Sequence, residues 1–410
     1  MNEPKITVII PTRERCDVLE KSLQTVTAQN YDNLEIIVSD NFSCDATEQI
    51  VRSADDTRVK YINTGQRVSM SHNWEFALSH VTEGWVTILG DDDGLFPASL
   101  NKVADIIQST DIQAIRSSAC CLYAWPSLTG KDFGRLTISL KSGCEVRDSK
   151  GWLLKVMNGH AHYHELPILY TGGFVSMPVL QEMKRKAGAF YYSCTPDIYS
   201  AVAISSVIKS YVYSNEPFAI NGLSRHSTGT AAFAIGEKSE LSPMQKFRSE
   251  ENIPFHKDIP LFDDGNYPPS EQAFVYESYL QSAFLRDDVR QCMHQQQLEL
   301  ILATSGKHSV SIGEWGKIFA ATHGLDYDEI QHRATRRKLL LFLRLTSVPG
   351  RIFSAFNRYD VGSPELPIKD VYEASIAAAA LRSLMPSRLN KLHRLVGRAL
   401  EKLIGAIFTH

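Results

Sequence analysis

The chain lacks a glycine-rich phosphate loop. Neither G-x-G-x-x-G nor G-x-x-x-x-G-K-S/T occurs in its 410 residues, and Ser305-Gly306-Lys307-His308-Ser309 fails for want of the upstream glycine. Any bound phosphate must therefore be neutralised by something other than a cradle of loop amides. The seven cysteines are odd in number and nowhere spaced C-x-x-C, so they read as reduced thiols rather than a disulfide frame. No signal-peptide pattern follows Met1, and no apolar run approaches the ~20 residues that span a bilayer. The expectation is a cytoplasmic protein, with peripheral contact at the inner face of the plasma membrane left open.

Extremes of composition are missing too. The chain is 43% hydrophobic and 22% charged, which argues against long disorder, and its length suggests two or three domains. The net charge of -3 hides an asymmetry. Residues 336–410 hold 13 Lys+Arg against 5 Asp+Glu, so the remainder is strongly acidic. Such a tail faces something anionic. Nucleic acid is not an expected partner.

What is present centres on Trp85-Val86-Thr87-Ile88-Leu89-Gly90-Asp91-Asp92-Asp93-Gly94. An unalternating apolar run with a turn signal at its end reads as a strand buried on both faces of a parallel sheet. Ligands of such sheets sit beyond the carboxyl ends of the strands. Three adjacent carboxylates repel one another unless a cation or donors compensate, and a hard divalent ion with sites left for phosphates suits them. The plainer reading is an acidic surface turn. Upstream, residues 6–10, 34–38 and 59–62 read as further strands. Helical spacing appears from Val18 to about Ala28 and over residues 71–79, and Asp45 with Glu48 reads as a capping box. Strand alternating with helix predicts an α/β, Rossmann-like, mostly parallel sheet flanked by helices.

Pro11-Thr12-Arg13-Glu14-Arg15, residues 35–47 (Glu35 to Thr47), Asn63-Thr64-Gly65, Asn73 and Asp91-Asp92-Asp93 occur in the order of family-2 nucleotide-sugar glycosyltransferases. The chain resembles that family over about residues 5–100, and more weakly to about 230. The resemblance implies a GT-A fold and inverting transfer of a sugar from a nucleotide diphosphate, with Mg²⁺ or Mn²⁺. It implies a donor of UDP or dTDP type, a glycan or lipid-linked acceptor, and a role in bacterial surface polysaccharide synthesis.

The same resemblance assigns roles. Asp40 contacts the base; Thr12 and Arg15 match Pro-Thr-x-x-Arg at the nucleotide. Asp91 lies near the ribose and metal waters and Asp93 binds the ion, with Asp92 as the alternative if the register slips by one. Asp197, at a Pro-Asp helix start, is the catalytic base, with Asp132 and Glu165 in reserve. In Asn221-Gly222-Leu223-Ser224-Arg225-His226-Ser227-Thr228-Gly229, His226 completes the metal shell while Arg225 or the hydroxyls meet phosphate. His160-Ala161-His162-Tyr163-His164 reads as acceptor-site lining or plain surface rather than zinc. Tyr170-Thr171-Gly172-Gly173-Phe174 reads as either a sugar-facing aromatic segment or a core strand.

The expected domains are a GT-A domain over 1–230, a linker and helical domain over 231–335, and a basic amphipathic tail over 336–410. In that tail, Leu389, Leu392, Leu395, Val396, Leu400, Leu403 and Ile407 interleave with Arg388, Lys391, Arg394, Arg398 and Lys402. It suits an anionic membrane surface or a second subunit. Two rival readings remain: a nucleotidyltransferase on a related sheet, and a non-catalytic nucleotide-sugar-binding protein.

Overall fold

The computed structural model describes residues 3–118, 121–126, 133–227, 251–286, 293–345, 358–362 and 368–384. The first apolar runs become β1 (Ile6–Thr12), β2 (Leu34–Asp40), β3 (Val59–Asn63) and β4 (Trp85–Ile88). Between them lie α1 (Cys16–Thr27), α2 (Thr47–Ser53) and α3 (Met70–Leu78). The four strands are parallel in the order β3-β2-β1-β4, with Ile9 opposite both Ile37 and Ile88. Parallel neighbours need a crossover, which is why helix alternates with strand. Ile6, Val8 and Ile10 pack on one face against Leu19 and Leu23 of α1, while Ile9 packs on the other against Trp74 and Leu78 of α3. Both faces are covered, so these strands read as unbroken apolar runs.

The expected capping box at α2 does not form. Asp45 Oδ1 accepts from Thr47 N at 3.0 Å, and its Oδ2 accepts from Cys16 N at 3.0 Å, so this carboxylate ties the starts of α1 and α2 together.

The chain continues through β5 (Gly94–Leu95), α4 (Ser99–Ser109), β6 (Ala114–Ser117), β7 (Leu122–Ala124), β8 (Leu136–Ser139) and β9 (Cys144–Asp148). It then forms α5 (Ser149–Met157), β10 (Gly173–Ser176), α6 (Met177–Ala187), α7 (Pro196–Val207), β11 (Ser210–Ser214) and β12 (Ala219–Leu223). Beyond β4 the sheet runs β10-β6-β11-β9 to eight strands, with β10 antiparallel to both neighbours. A five-stranded sheet, β13-β8-β7-β12-β5, includes β13 (Arg358–Val361). This is the α/β GT-A arrangement that the resemblance implies.

Among the described residues four helices follow: α8 (Glu271–Gln281), α9 (His294–Ala303), α10 (Ser309–His323) and α11 (Tyr327–Leu345). Their core, built on Tyr276, Leu298, Ile301, Trp315 and Phe319, includes Leu153 and Val156 of α5 and Ile198, Ala201 and Val202 of α7. Helix α7 is hydrophobic all round because its other side, Tyr199, Ala203 and Ile204, belongs to the core under the main sheet.

The expected boundary at 335/336 falls inside α11. Arg337 is no start of a tail: it donates to Glu299 Oε1 at 3.2 Å and to Asn158 O at 2.6 Å. Further on, β13 pairs with β8, and α12 (Val371–Leu384) buries Val371, Ala374 and Ala378 against Val18 of α1 and the second sheet. The chain thus returns to its first domain instead of trailing away from it. The amphipathic run from Arg388 to Ile407 lies outside the described residues. Among the described residues no helix is long and apolar enough to cross a membrane.

Candidate active site

Strand β4 delivers the three aspartates. Leu89 N still donates to Ile9 O at 2.8 Å, and the chain then turns so that Asp93 N reaches Gly90 O at 3.1 Å. All three aspartates are buried, none more than 5% exposed. Asp93 points into the protein: Oδ1 accepts from Gly222 N at 2.7 Å, and Oδ2 accepts from Gly90 N at 3.2 Å and from the Thr171 hydroxyl. Asp92 Oδ2 accepts from Ser224 Oγ at 2.7 Å and Ser227 Oγ at 2.6 Å, while its Oδ1 takes no hydrogen bond from a described residue. Asp91 Oδ1 pairs with Arg15 Nη1 at 2.8 Å. Burial, then the charge of Asp92, push Asp93 up to about 7. Burial raises Asp91 as well, with Arg15 opposing.

Strand β12 makes this turn possible. It pairs with β5, which sets Gly222 against the aspartates. A Cβ at Gly222 would stand 1.7 Å from Asp92 O, so only glycine allows the approach. Trp125 Nε1 donates to that same carbonyl at 2.8 Å.

Residues 224–227 bond to the aspartate turn and to α1. Arg15 Nη2 donates to His226 O at 2.6 Å. The side chains of Arg225 and His226, which the resemblance sends to phosphate and metal, both meet Asp17 Oδ2, at 3.2 and 3.0 Å. The aspartates of the turn are already engaged by Arg15 and the two serines, so the next carboxylate in reach takes both side chains. The serine hydroxyls, expected at phosphate, hold Asp92 instead.

Asp197 opens α7 directly after Pro196, where proline's fixed φ and missing N–H suit a helix start. Tyr163 Oη donates to Asp197 Oδ2 at 3.4 Å, and burial raises the carboxyl pKa. Tyr170 connects the two halves of the site. Burial holds its phenol protonated well above the usual range, and the charges of Asp93, Asp92, Asp197 and Asp91 add to this. Trp74 stacks on that ring at 5.3 Å.

The loop into α7 is pinned from both domains. Ser71 Oγ donates to Ser193 O at 2.7 Å, and Ser193 Oγ donates to Glu277 Oε2 of α8 at 2.6 Å. Burial pushes Glu277 up to about 7 against the hydrogen bonds from Ser193 and His256. A folded pKa above the unfolded one contributes stability that is complete below about pH 4.5 and is lost as pH rises through about 7. From about pH 5 to about pH 8 the wild type should lose roughly 3 kcal/mol through this one group. Glu277→Gln, uncharged throughout, should show a flatter dependence of melting temperature on pH; thermal unfolding across that range is the check.

Other expected residues are placed as follows. Thr12 is buried at the end of β1, where its hydroxyl helps hold down the Asp91 carboxyl against the effect of burial. Asp40 accepts from Ser43 N at 3.0 Å on one oxygen, and from Tyr61 Oη at 2.6 Å and Asn63 Nδ2 at 3.1 Å on the other. Glu165 is tied to Arg147 at 2.8 Å, and Asp132 lies outside the described residues. The histidine stretch is not a strand: Tyr163–Glu165 forms a 3-10 turn, the His162 and His164 rings meet edge to face at 4.6 Å, and His162 turns to Glu271 rather than to a shared metal. Sequence reasoning left Tyr170 and Thr171 undecided and missed Trp125, Glu271 and Glu277, for which no local motif exists.

Among the described residues no three His, Cys, Asp or Glu side chains form a group able to hold a metal. The donor set does fit a hard ion held mainly by its ligand. Asp92 Oδ1 takes no hydrogen bond from the described residues and has Asp91 beside it, and one or two carboxylates with phosphates and water are the usual shell of Mg²⁺.

Residues 7–125 match the model for Glycosyl transferase family 2. The chain is 38% identical over 103 residues to a Campylobacter jejuni GalNAc(5)-diNAcBac-PP-undecaprenol beta-1,3-glucosyltransferase, covering 24% of this chain and 33% of that one. It is 37% identical over 76 residues to a Streptomyces hygroscopicus validoxylamine A glucosyltransferase, covering 17% of this chain and 18% of that one. The chain thus spans a third or less of the length of these curated relatives. Among solved structures, S. aureus TarS 1-349 in complex with UDP-GlcNAc aligns over 82% of this chain and 92% of its own, at 13% identity and a TM-score of 0.45.

Proposed function

From a family-2 glycosyltransferase domain over residues 7–125, we propose that the chain transfers a sugar from a nucleotide-diphosphate sugar to a hydroxyl of a glycan or lipid-linked acceptor, inverting the anomeric carbon. The observation that carries this reading is the buried carboxylate turn at the end of β4, with one Asp92 oxygen unbonded among the described residues and Asp197 across Tyr170 from it. Asp92, rather than Asp93, is the direct metal ligand, because both oxygens of Asp93 are consumed by protein donors. Asp91 and Arg15 orient the nucleotide side, with Thr12 beside Asp91 at the carboxyl end of β1. Asp40 receives the base once one of its present donors yields. Residues 224–227 close over the diphosphate, with Arg225 and His226 released from Asp17 as they do so. Mg²⁺ or Mn²⁺, when bound, neutralises charge developing on the leaving nucleoside diphosphate. Asp197 takes the proton from the acceptor hydroxyl as that oxygen attacks in line.

A lipid-linked acceptor is supported by the undecaprenol named for the Campylobacter relative. Peripheral contact with an anionic membrane is supported by α11, which exposes Leu339 and Leu340 beside Arg336 and Lys338. Donor binding is tested by thermal shift with UDP-, dTDP- and GDP-sugars, with and without Mn²⁺. A donor should raise the melting temperature in Mn²⁺ and lose most of that effect in EDTA. Free nucleoside diphosphate among the products supports sugar transfer. Pyrophosphate would favour a nucleotidyltransferase, and the absence of a shift with every donor would sink the reading.

A further inference from the structure

The acceptor side of Asp197 is built jointly by the two domains. His162, ahead of the 3-10 turn Tyr163–Glu165, meets Glu271 Oε1 of α8 at 2.8 Å through its Nε2. Glu271 is the first residue of α8, set there by Ser270 at the N-cap, whose hydroxyl accepts from Ala273 N at 3.4 Å. The neighbouring Tyr163 ring lies 4.7 Å from that of His162, and its hydroxyl reaches Asp197 at 3.4 Å. Glu271 is close enough that its charge adds to the raised pKa of both Tyr163 and Asp197. One rim therefore carries the Glu271 carboxylate and a half-exposed imidazole, with the buried Tyr163 beneath them joined to the proposed base. Glu271 Oε2 takes no hydrogen bond from a described residue.

We infer that His162 and Glu271, backed by the buried Tyr163, form the acceptor subsite, and that it takes the terminal sugar of a glycan through that sugar's hydroxyls. The inference rests on the reading of Asp197 as the base. Carboxylate oxygens accept from neutral hydroxyls in charge-assisted hydrogen bonds, whereas an anionic acceptor terminus would be repelled by Glu271 and Asp197 together. The nearly half-exposed His162 ring offers the apolar face of a sugar a surface to lie on. The pairing of His162 with Glu271 fixes the carboxylate, so little ordering remains to be done on binding. In this arrangement the helical region, which carries no chemical motif of its own, selects the acceptor.

The test uses the whole chain and octyl β-glycosides of glucose, galactose, GlcNAc and GalNAc as soluble probes. Saturation-transfer NMR should detect at least one of them. Glu271→Gln and His162→Gln should each weaken that binding by about ten-fold, the loss expected of a charge-assisted hydrogen bond. Thermal shift by the nucleotide sugar should stay as in the wild type, since neither residue touches the donor side. Both side chains are nearly half exposed, so folding should survive, and circular dichroism verifies it. Unchanged glycoside binding in both variants overturns the subsite. Binding of none of the four probes to the wild type overturns a sugar as its ligand. Because binding is read without turnover, either failure is separate from failure of the transferase reading, which shows as no donor shift.

Discussion

Asp197→Asn abolishes nearly all turnover, by about 10²–10⁴-fold, while the thermal shift produced by the nucleotide sugar is retained. The asparagine keeps the shape, and its amide oxygen can still accept from Tyr163, so only the capacity to take a proton is lost. The variant should also be at least as stable as the wild type at neutral pH. Burial raises the folded pKa of Asp197, so the stability it contributes is present at low pH and is lost as pH rises through that raised value. Asparagine has no charge to desolvate. Loss of activity with a retained or higher melting temperature identifies a strained functional carboxylate; parallel loss of both would mark a structural one. Wild-type kcat should correspondingly fall as pH drops through the raised pKa.

The second large effect separates Asp92 from Asp93. Asp92→Asn keeps an acceptor for Ser224 and Ser227 but removes the charge offered to a divalent ion. Turnover should fall by about 100-fold or more, and the Mn²⁺-dependent part of the donor's thermal shift should vanish, with the fold intact. Asp93→Asn meets a different fate. Gly222 N, Gly90 N and the Thr171 hydroxyl all aim donors at Asp93, and an amide group would confront one of them with a donor of its own. It should destabilise the protein by about 1–3 kcal/mol. If instead Asp93→Asn folds normally and loses the Mn²⁺ effect while Asp92→Asn does not, the assignment of the metal ligand reverses. Titration calorimetry with Mn²⁺ and donor, beside thermal unfolding, decides between them.

The first ninety residues were legible because a doubly covered parallel strand leaves an unmistakable run, as Ile6-Thr7-Val8-Ile9-Ile10 and Leu34-Glu35-Ile36-Ile37-Val38 do. The aspartate turn could be located for the same reason, yet its register could not be settled. Whether Asp92 or Asp93 looks outward depends on Gly222, 129 residues away along the chain. Side-chain destinations were the least legible part. His226 and Arg225 turn to Asp17, and Asp45 ties α1 to α2 instead of forming a capping box, because each polar side chain goes to whichever partner the tertiary fold leaves within reach. The boundary at 336 was misplaced because Arg336-Arg337-Lys338 resembles a break in composition, whereas the helical periodicity of α11 runs straight through it. Glu277 and Glu271 had no local signal at all, since their importance comes only from what α8 is packed against.

Helix α7 offers one side to the core beneath the main sheet and the other to the core of the helical region. A truncation after residue 227 would therefore not release a compact stand-alone transferase. It would strip the covering from Ile198, Ala201 and Val202 and loosen the very turn on which Asp197 sits. The helices that follow are part of what holds α7 in place, and the site proposed at its start cannot be excised from the architecture behind it.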